Sequence, residues 1–312
     1  MRIVFELSRS TLGRLATCFG WRARMSRIVY VNGRYLPWAE ARVHAEDRGF
    51  QFGDAIYEVC EVRDGHLIDE IRHMQRLERS LGELRIRAPM SRSALGRVLR
   101  ETIRRNRVRD GSVYLQVSRG ARPREFLFSD AEHMEPTLVC IARTQSRAKS
   151  DAAAAAGIAV RSMPDIRWAR CDIKTVMLLP ASLAKESAKE IGAKEAWLID
   201  EHGFVTEGAS SNAWIIDQSG CLITRQISND LLRGVTRTTL IDLIKRAGLE
   251  LVERPFTIAE AKAAREAFTT SATAIIMPVV KIDDTPIGNG APGIATSQLR
   301  SEFHSVAERA RR

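Results

Sequence analysis

The stretch "RCDIKTVMLLP", residues 170–180, sets Lys174 among Ile173, Val176, Met177, Leu178 and Leu179. A lysine in this company has two readings. Its methylenes can cover apolar surface while the ammonium snorkels to water. Alternatively, a partly desolvated site can hold it as a neutral amine that attacks an aldehyde or carries a proton. The second reading demands partners elsewhere in the chain: an acid, an anion site and room for a substrate.

Three stretches answer that demand. "TEGASSN", residues 206–212, places Glu207 at a turn, followed by small residues that let backbone approach a ring closely. "RGVTRTTL", residues 233–240, is a glycine turn entering a helix, and a helix N-terminus is a ready anion site. "TTSATA", residues 269–274, adds hydroxyls and exposed amides. A lysine for an aldehyde, an acid for a ring nitrogen and backbone N–H groups for a phosphate are what a pyridoxal phosphate enzyme needs. Taken singly, each stretch also has an ordinary reading, as a solvated turn, a plain helix entry or a polar strand end.

Order and spacing carry further than any one of them. "DRGFQFGDAIYEV" (47–59), "RCDIK" (170–174), "TEGASSN", "LLRGVTR" (231–237) and "FTTSATAIIMPV" (268–279) together resemble the class IV pyridoxal phosphate aminotransferases. The resemblance spans about residues 27–305, and "YEV" after "FGD" together with "WARCDIK" is most similar to the D-amino-acid transaminases of that class. It implies a two-domain α/β (α+β) fold with pyridoxal 5′-phosphate between the domains. Lys174 would then be the lysine that condenses with the cofactor's aldehyde, and Glu207 would face the pyridine nitrogen. Arg76 would bind the phosphate with Val235, Thr236 and the region of Ser271 and Ala272, while Ser210 and Ser211 would line the cofactor. Tyr57 and Arg124 would hold the substrate carboxylate. Where such transaminases have a third, histidine ligand, this chain has Phe126 in "RPREF".

The implied reaction is ping-pong transamination between a D-amino acid and a 2-keto acid, in a homodimer whose carboxylate-binding residues cross the interface. Rival substrates within the class are (R)-amines and branched-chain amino acids, and a lyase of the aminodeoxychorismate type is a further variant. A basic binding protein that kept the fold without catalysis would show no visible cofactor absorption.

The elements that must position these residues are legible in part. "RIVYVNGRYLPW" reads as two strands around an Asn32-Gly33 turn, and "YEVCEVRDGHLI" repeats the device at Asp64-Gly65. Ile71, Met74, Leu77, Leu81 and Leu84 fall at helical spacing, and Ser91 caps a second helix. "SVYLQVSRG" and "PTLVCIART" read as strands, which makes residues 27–144 a mixed α/β domain. "QSRAKSDAAAAAG", residues 145–157, lacks hydrophobic periodicity and reads as a linker. Residues 158–312 form a strand-rich second domain, with helices expected in "TRTTLIDLIKRAG", in "TIAEAKAAREAF" behind a Thr257–Glu260 capping box, and in "SQLRSEFHSVAERA".

Composition excludes other classes. The 312 residues are 45% hydrophobic and 28% charged, and no run approaches the roughly 18 apolar residues of a membrane span. The net charge of +10 is not one nucleic-acid footprint: residues 1–24 hold five arginines against Glu6, and without them the charge is +6, spread over helices that also carry acids. Residues 1–26 carry no secretory pattern and read as a dispensable extension, with Met25 an alternative start. Five scattered cysteines (Cys18, Cys60, Cys140, Cys171, Cys221) suggest no metal site and a reduced, cytoplasmic setting.

Overall fold

A computed structural model describes residues 28–128 and 134–310, so the expected N-terminal extension lies outside the described residues. The chain forms two domains, each around its own sheet. The first sheet contains β1 (Ile28–Val31), β2 (Arg34–Pro37), β3 (Ala55–Arg63), β4 (His66–Leu67), β5 (Gly111–Ser118) and β6 (Thr137–Thr144), in the antiparallel order β2-β1-β6-β5-β3-β4. Both expected hairpins form. Asn32 and Gly33 take φ of 42° and 88°, and Asp64 and Gly65 take 53° and 81°, the positive pairs that a two-residue hairpin turn requires.

A short helix α1 (Arg48–Phe52) precedes β3, and α2 (Glu70–Glu83) and α3 (Arg92–Arg105) pack on the sheet. Ser91 caps α3 by accepting from the Ala94 amide. On α2, Met74, Leu77 and Leu81 are buried as their spacing predicts, whereas Ile71 faces outward at 50% exposure. The same helix turns His73 and Arg76 toward the second domain, one turn apart.

Residues 145–157, which join the two sheets, are largely helical. They form α4 (Arg147–Ala156), capped by the Ser146 hydroxyl, which accepts from the Lys149 amide, and closed by Gly157 at φ 70°. Alanine is the strongest helix former, and it needs no apolar stripe when polar residues fix both ends. Arg147 bonds Asp64 and Asp110 of the first domain, and Ser150 and Asp151 accept from Arg300 of the second.

The second sheet contains β7 (Ile158–Pro164), β8 (Glu195–Ile199), β9 (Val205–Gly208), β10 (Asn212–Ile216), β11 (Leu222–Thr224), β12 (Leu251–Glu253), β13 (Glu266–Ser271), β14 (Ile275–Ile282) and β15 (Thr285–Pro286). Its order is β12-β11-β10-β13-β14-β7-β8-β9, with β15 paired to β14. Helices α5 (Leu179–Glu190), α6 (Val235–Arg246) and α8 (Ile294–Val306) cover it. The helix expected over "TIAEAKAAREAF" is shorter. The capping box between Thr257 and Glu260 forms, but α7 (Ile258–Lys262) ends after five residues and β13 begins at Glu266. Pairing of Ala267 and Phe268 with β10 overrides local helix propensity, and the buried Glu266 carboxylate accepts from the Thr296 amide and hydroxyl at the start of α8.

Candidate active site

A cavity of about 260 Å³ lies between the two domains, at the small end of ligand sites. Lys174, Tyr57, Arg76, Glu207, Ser210, Ser211, Val235, Thr236, Ser271 and Ala272 all line it. Residues far apart in the chain, from β3 to the end of β13, thus meet at one place.

Lys174 is positioned by main chain on both sides. Its carbonyl accepts from the Tyr57 amide at 3.0 Å, and the Val176 amide donates to the Ala55 carbonyl at 3.1 Å, so this segment pairs with the start of β3. From α2, the Ser80 hydroxyl accepts from the Lys174 amide at 3.4 Å, and Arg79 binds the Asp172 carbonyl and carboxylate. Lys174 Nζ lies 4.1 Å from the Tyr57 ring centre. Its apolar neighbours divide: Ile173 is buried in the first core, while Met177, Leu178 and Leu179 remain exposed.

Glu207 stands inside β9, one residue before the small-residue turn, and is only 5% exposed. Asn212 Nδ2 donates to its Oε2 at 3.0 Å, the Leu232 amide reaches both oxygens at 3.2 Å, and Arg167 Nη1 donates to Oε1 at 2.5 Å. Burial pushes the Glu207 carboxyl up, while the Arg167 guanidinium, the Leu232 amide and the Lys174 ammonium pull it down; burial prevails. A cationic ring nitrogen beside it would reverse that balance.

The start of α6 faces the same space. Gly234 is its cap, with no side-chain capping bond, so amides of the first turn stay open toward the cavity. A Cβ at Gly234 would come within 2.0 Å of Asn212 Oδ1, so the approach requires glycine. Arg76 reaches the site already paired: its Nε and Nη2 donate to Glu58 at 2.7 and 2.8 Å, and Nη1 donates to the Arg233 carbonyl at 3.0 Å. Glu58 is fully buried and also lies 2.8 Å from His73 Nδ1. Burial raises the Glu58 carboxyl, yet the Arg76 guanidinium and His73 together hold it well below the usual carboxylate range. On the far wall, Ser271 accepts from the Ala274 amide, and Ile275 takes φ 62°, an outlier for a β-branched residue, where the turn rejoins β14.

Two expected substrate residues do not line this cavity. Arg124 and Phe126 sit in an exposed loop, Phe126 at 75% exposure against Phe52, with the Arg124 guanidinium 4.8 Å from the Phe52 ring centre. Sequence reasoning misses other lining or supporting residues: Arg167, Asn212, Glu58, His73 and Thr270. Asn212 closes the "TEGASSN" motif, and His73 shares a helix face with Arg76, so both carry a signal. Cys171 lines the cavity too, but burial pushes its thiol up to about 12, and it donates to the Trp168 carbonyl.

An amine, a buried carboxylate aimed into the same space, and an uncapped helix start with an arginine beside it fit a phosphorylated pyridine aldehyde. These features define a pyridoxal-phosphate enzyme. The class IV amino-transferase family matches residues 55–282. Over 281 residues the chain is 37% identical to the D-alanine aminotransferase of Staphylococcus haemolyticus, covering 90% of this chain and 98% of the relative. It is 37% identical to that of Bacillus licheniformis over 277 residues, 89% and 96% of the two chains. Among solved structures, the Escherichia coli branched-chain amino acid aminotransferase superposes with a TM-score of 0.81 at 22% identity, covering 90% of this chain and 94% of that one. A hypothetical aminotransferase from Mycobacterium tuberculosis, in its PLP-bound form, gives 0.77 at 20%, covering 89% and 98%. The chain belongs to the class IV aminotransferases and is a pyridoxal-phosphate-dependent enzyme of that fold.

Proposed function

We propose that this aminotransferase transfers the amino group of D-amino acids to 2-keto acids, with D-alanine among its donors. The observation that carries the proposal is the convergence of Lys174, Tyr57, Glu207 and the α6 N-terminus on one cavity, in a chain 37% identical along nearly its whole length to D-alanine aminotransferases. Bound pyridoxal phosphate supplies an aldehyde that takes up the amino group and a ring that accepts the electron pair left when the α C–H bond breaks.

The chain's residues supply the rest. Glu207 places a negative charge at the cavity wall for the ring nitrogen. The first-turn amides of α6, with Arg76, Thr236 and the turn at Ser271 and Ala272, would hold the phosphate. Ser210 and Ser211 line the cavity on a turn tied to the buried Glu195 carboxylate at 2.7 and 3.1 Å, and would border the cofactor there. Lys174 would hold the cofactor through its side-chain amine and would serve as the base that carries the substrate's α-proton. Lys174→Ala should therefore eliminate turnover of D-alanine with 2-oxoglutarate, and more than a trace of residual activity would sink the assignment. L-alanine as donor tests handedness: equal rates with both enantiomers would refute the D-amino-acid reading.

Arg124 and Phe126 enter the reading through a second copy of the chain, in a cytoplasmic homodimer. The exposed Phe126, Leu127 and Phe128, consecutive in one loop, support that arrangement, because single exposed apolar side chains are ordinary but a cluster of them marks a contact surface. The four described cysteines are free, in keeping with a reducing compartment. Mixing Lys174→Ala with Arg124→Ala protein tests the crossing. Hybrid dimers then contain one intact site, and random pairing should restore about a quarter of wild-type activity. No recovery on mixing would place Arg124 outside the partner's site.

A further inference from the structure

We infer that Asp165 and Arg167 are positioning residues that set the charge presented by Glu207: the arginine clamps the carboxylate in place, and the aspartate cancels the arginine's charge. The inference rests on the cofactor reading above and deepens it. Arg167 makes one bond to Glu207, from Nη1 to Oε1, and two to Asp165, from Nε to Oδ1 at 2.9 Å and from Nη2 to Oδ2 at 2.7 Å. Asp165 is fixed in turn by the Thr206 hydroxyl, which donates to Oδ2 at 2.7 Å, and by the Arg167 amide at 3.1 Å. Arg167 Nη2 also reaches the Asp230 carbonyl at 3.1 Å. The side chains of Asp165 and Arg167 are 11% and 13% exposed, so water screens this cluster weakly.

The charges then decide the function. An arginine bonded to Glu207 alone would make a neutral pair, with nothing left to favour a proton on a ring nitrogen across the cavity. One cation shared between two carboxylates carries a net charge of −1, and of the two carboxylates Glu207 lines the cavity, beside Arg167, whereas Asp165 is absent from its walls. The arrangement separates two tasks that a single ion pair cannot combine: rigid orientation of a buried carboxylate, and delivery of its charge to a ligand. Thr206, next to Glu207 on β9, donates to Asp165 and so ties both carboxylates to the same strand.

The test uses the holoenzyme carrying ¹⁵N in the cofactor's pyridine ring, whose chemical shift reports ring-nitrogen protonation independently of turnover. Asp165→Asn makes the cluster neutral, so the signal should move toward the unprotonated form and kcat should fall about tenfold, with KM little changed. Arg167→Gln leaves the cluster at −2 and should keep the nitrogen protonated, the opposite sign. The double variant restores −1 and should recover the wild-type signal. A purely structural role would damage single and double variants alike and would overturn the inference, as would a protonated nitrogen in Asp165→Asn. If Asp165→Asn does not fold, Arg167→Gln decides alone, since an unprotonated ring nitrogen there contradicts the charge argument. Glu207→Gln serves as the control: no shift in that variant means that Glu207 does not face the ring, which defeats the cofactor reading rather than this inference.

Discussion

Replacing Gly234 by alanine is a one-carbon change whose consequence can be worked out from the site. The backbone there, φ −61° and ψ 132°, suits any residue, so the substitution carries no conformational strain. The obstacle is steric: the new Cβ lies 2.0 Å from Asn212 Oδ1, and contacts under 3.0 Å essentially do not occur, so the amide must retreat by about 1 Å. Asn212 is buried, and its Nδ2 is shared between Glu207 Oε2 at 3.0 Å and the Leu232 carbonyl at 2.9 Å. Retreat breaks at least the bond to the carboxylate. A hydrogen bond to a charged group is worth roughly 1.5–3 kcal/mol, which corresponds to roughly ten- to hundredfold in rate if it is spent in holding Glu207 against the ring. Steady-state kcat with D-alanine should fall by that factor in a folded protein. Asn212→Ser, which removes the obstructing group, should make Gly234→Ala nearly silent in the double variant, because both changes act through one contact. A single Gly234→Ala variant with kcat within about twofold of wild type would show that Asn212 does not govern the placement of Glu207.

Other outcomes follow from the same geometry. The Glu58 carboxyl is held below its ordinary value of 4.5, so its stabilisation is complete above that pH and lost as pH falls beneath it; Glu58→Gln should flatten acid unfolding there and weaken cofactor retention on dialysis. In the apoprotein Glu207 is shifted upward, so its contribution is present below pH 4.5 and lost as pH rises; Glu207→Gln apoprotein should resist denaturant better than wild type at neutral pH, though the holoenzyme loses activity, and equal apoprotein stabilities would refute the burial cost. Ser146→Ala should cost about 1 kcal/mol in chemical denaturation by uncapping α4, and no loss would show that the cap does not hold the helix. Phe126→His should raise kcat/KM for D-alanine relative to (R)-1-phenylethylamine by adding a donor for a carboxylate, and an unchanged ratio would place residue 126 away from substrate in the dimer.

What can be read in the sequence is what is local or repeated. The Asn32-Gly33 and Asp64-Gly65 turns, the Ser91 cap and the Thr257–Glu260 box each depend on a few adjacent residues, and each forms. The cofactor residues cluster within short motifs, and those assigned to the cofactor line one cavity. The sequence is least legible where local chemistry gives a weak or misleading signal. In α4, alanine propensity and polar end contacts stand in for the periodicity that would mark a helix. At Glu266–Phe268 a helix-like run yields to a strand because β10, distant in the chain, offers a partner.

The deeper omission concerns polar partners of the site. Arg167 meets Glu207 across 40 positions, Arg76 meets Glu58 across 18, and Asn212 meets the Leu232 carbonyl across 20. A charged residue in a sequence carries no sign of which opposite charge it will meet, and solvated surface accounts for most of them. Burial changes that, because a desolvated carboxylate is stable only if its bonds are satisfied. Once Glu207 and Glu58 are known to be nearly inaccessible, partners for both become a physical necessity. The site is therefore best understood as two buried carboxylates with opposite tasks. Glu58 is paired with Arg76 and bonded to His73, and serves to hold both in place beneath the α6 N-terminus. Glu207 is clamped by Arg167 yet keeps its charge, because Asp165 takes two of that guanidinium's bonds against one for Glu207.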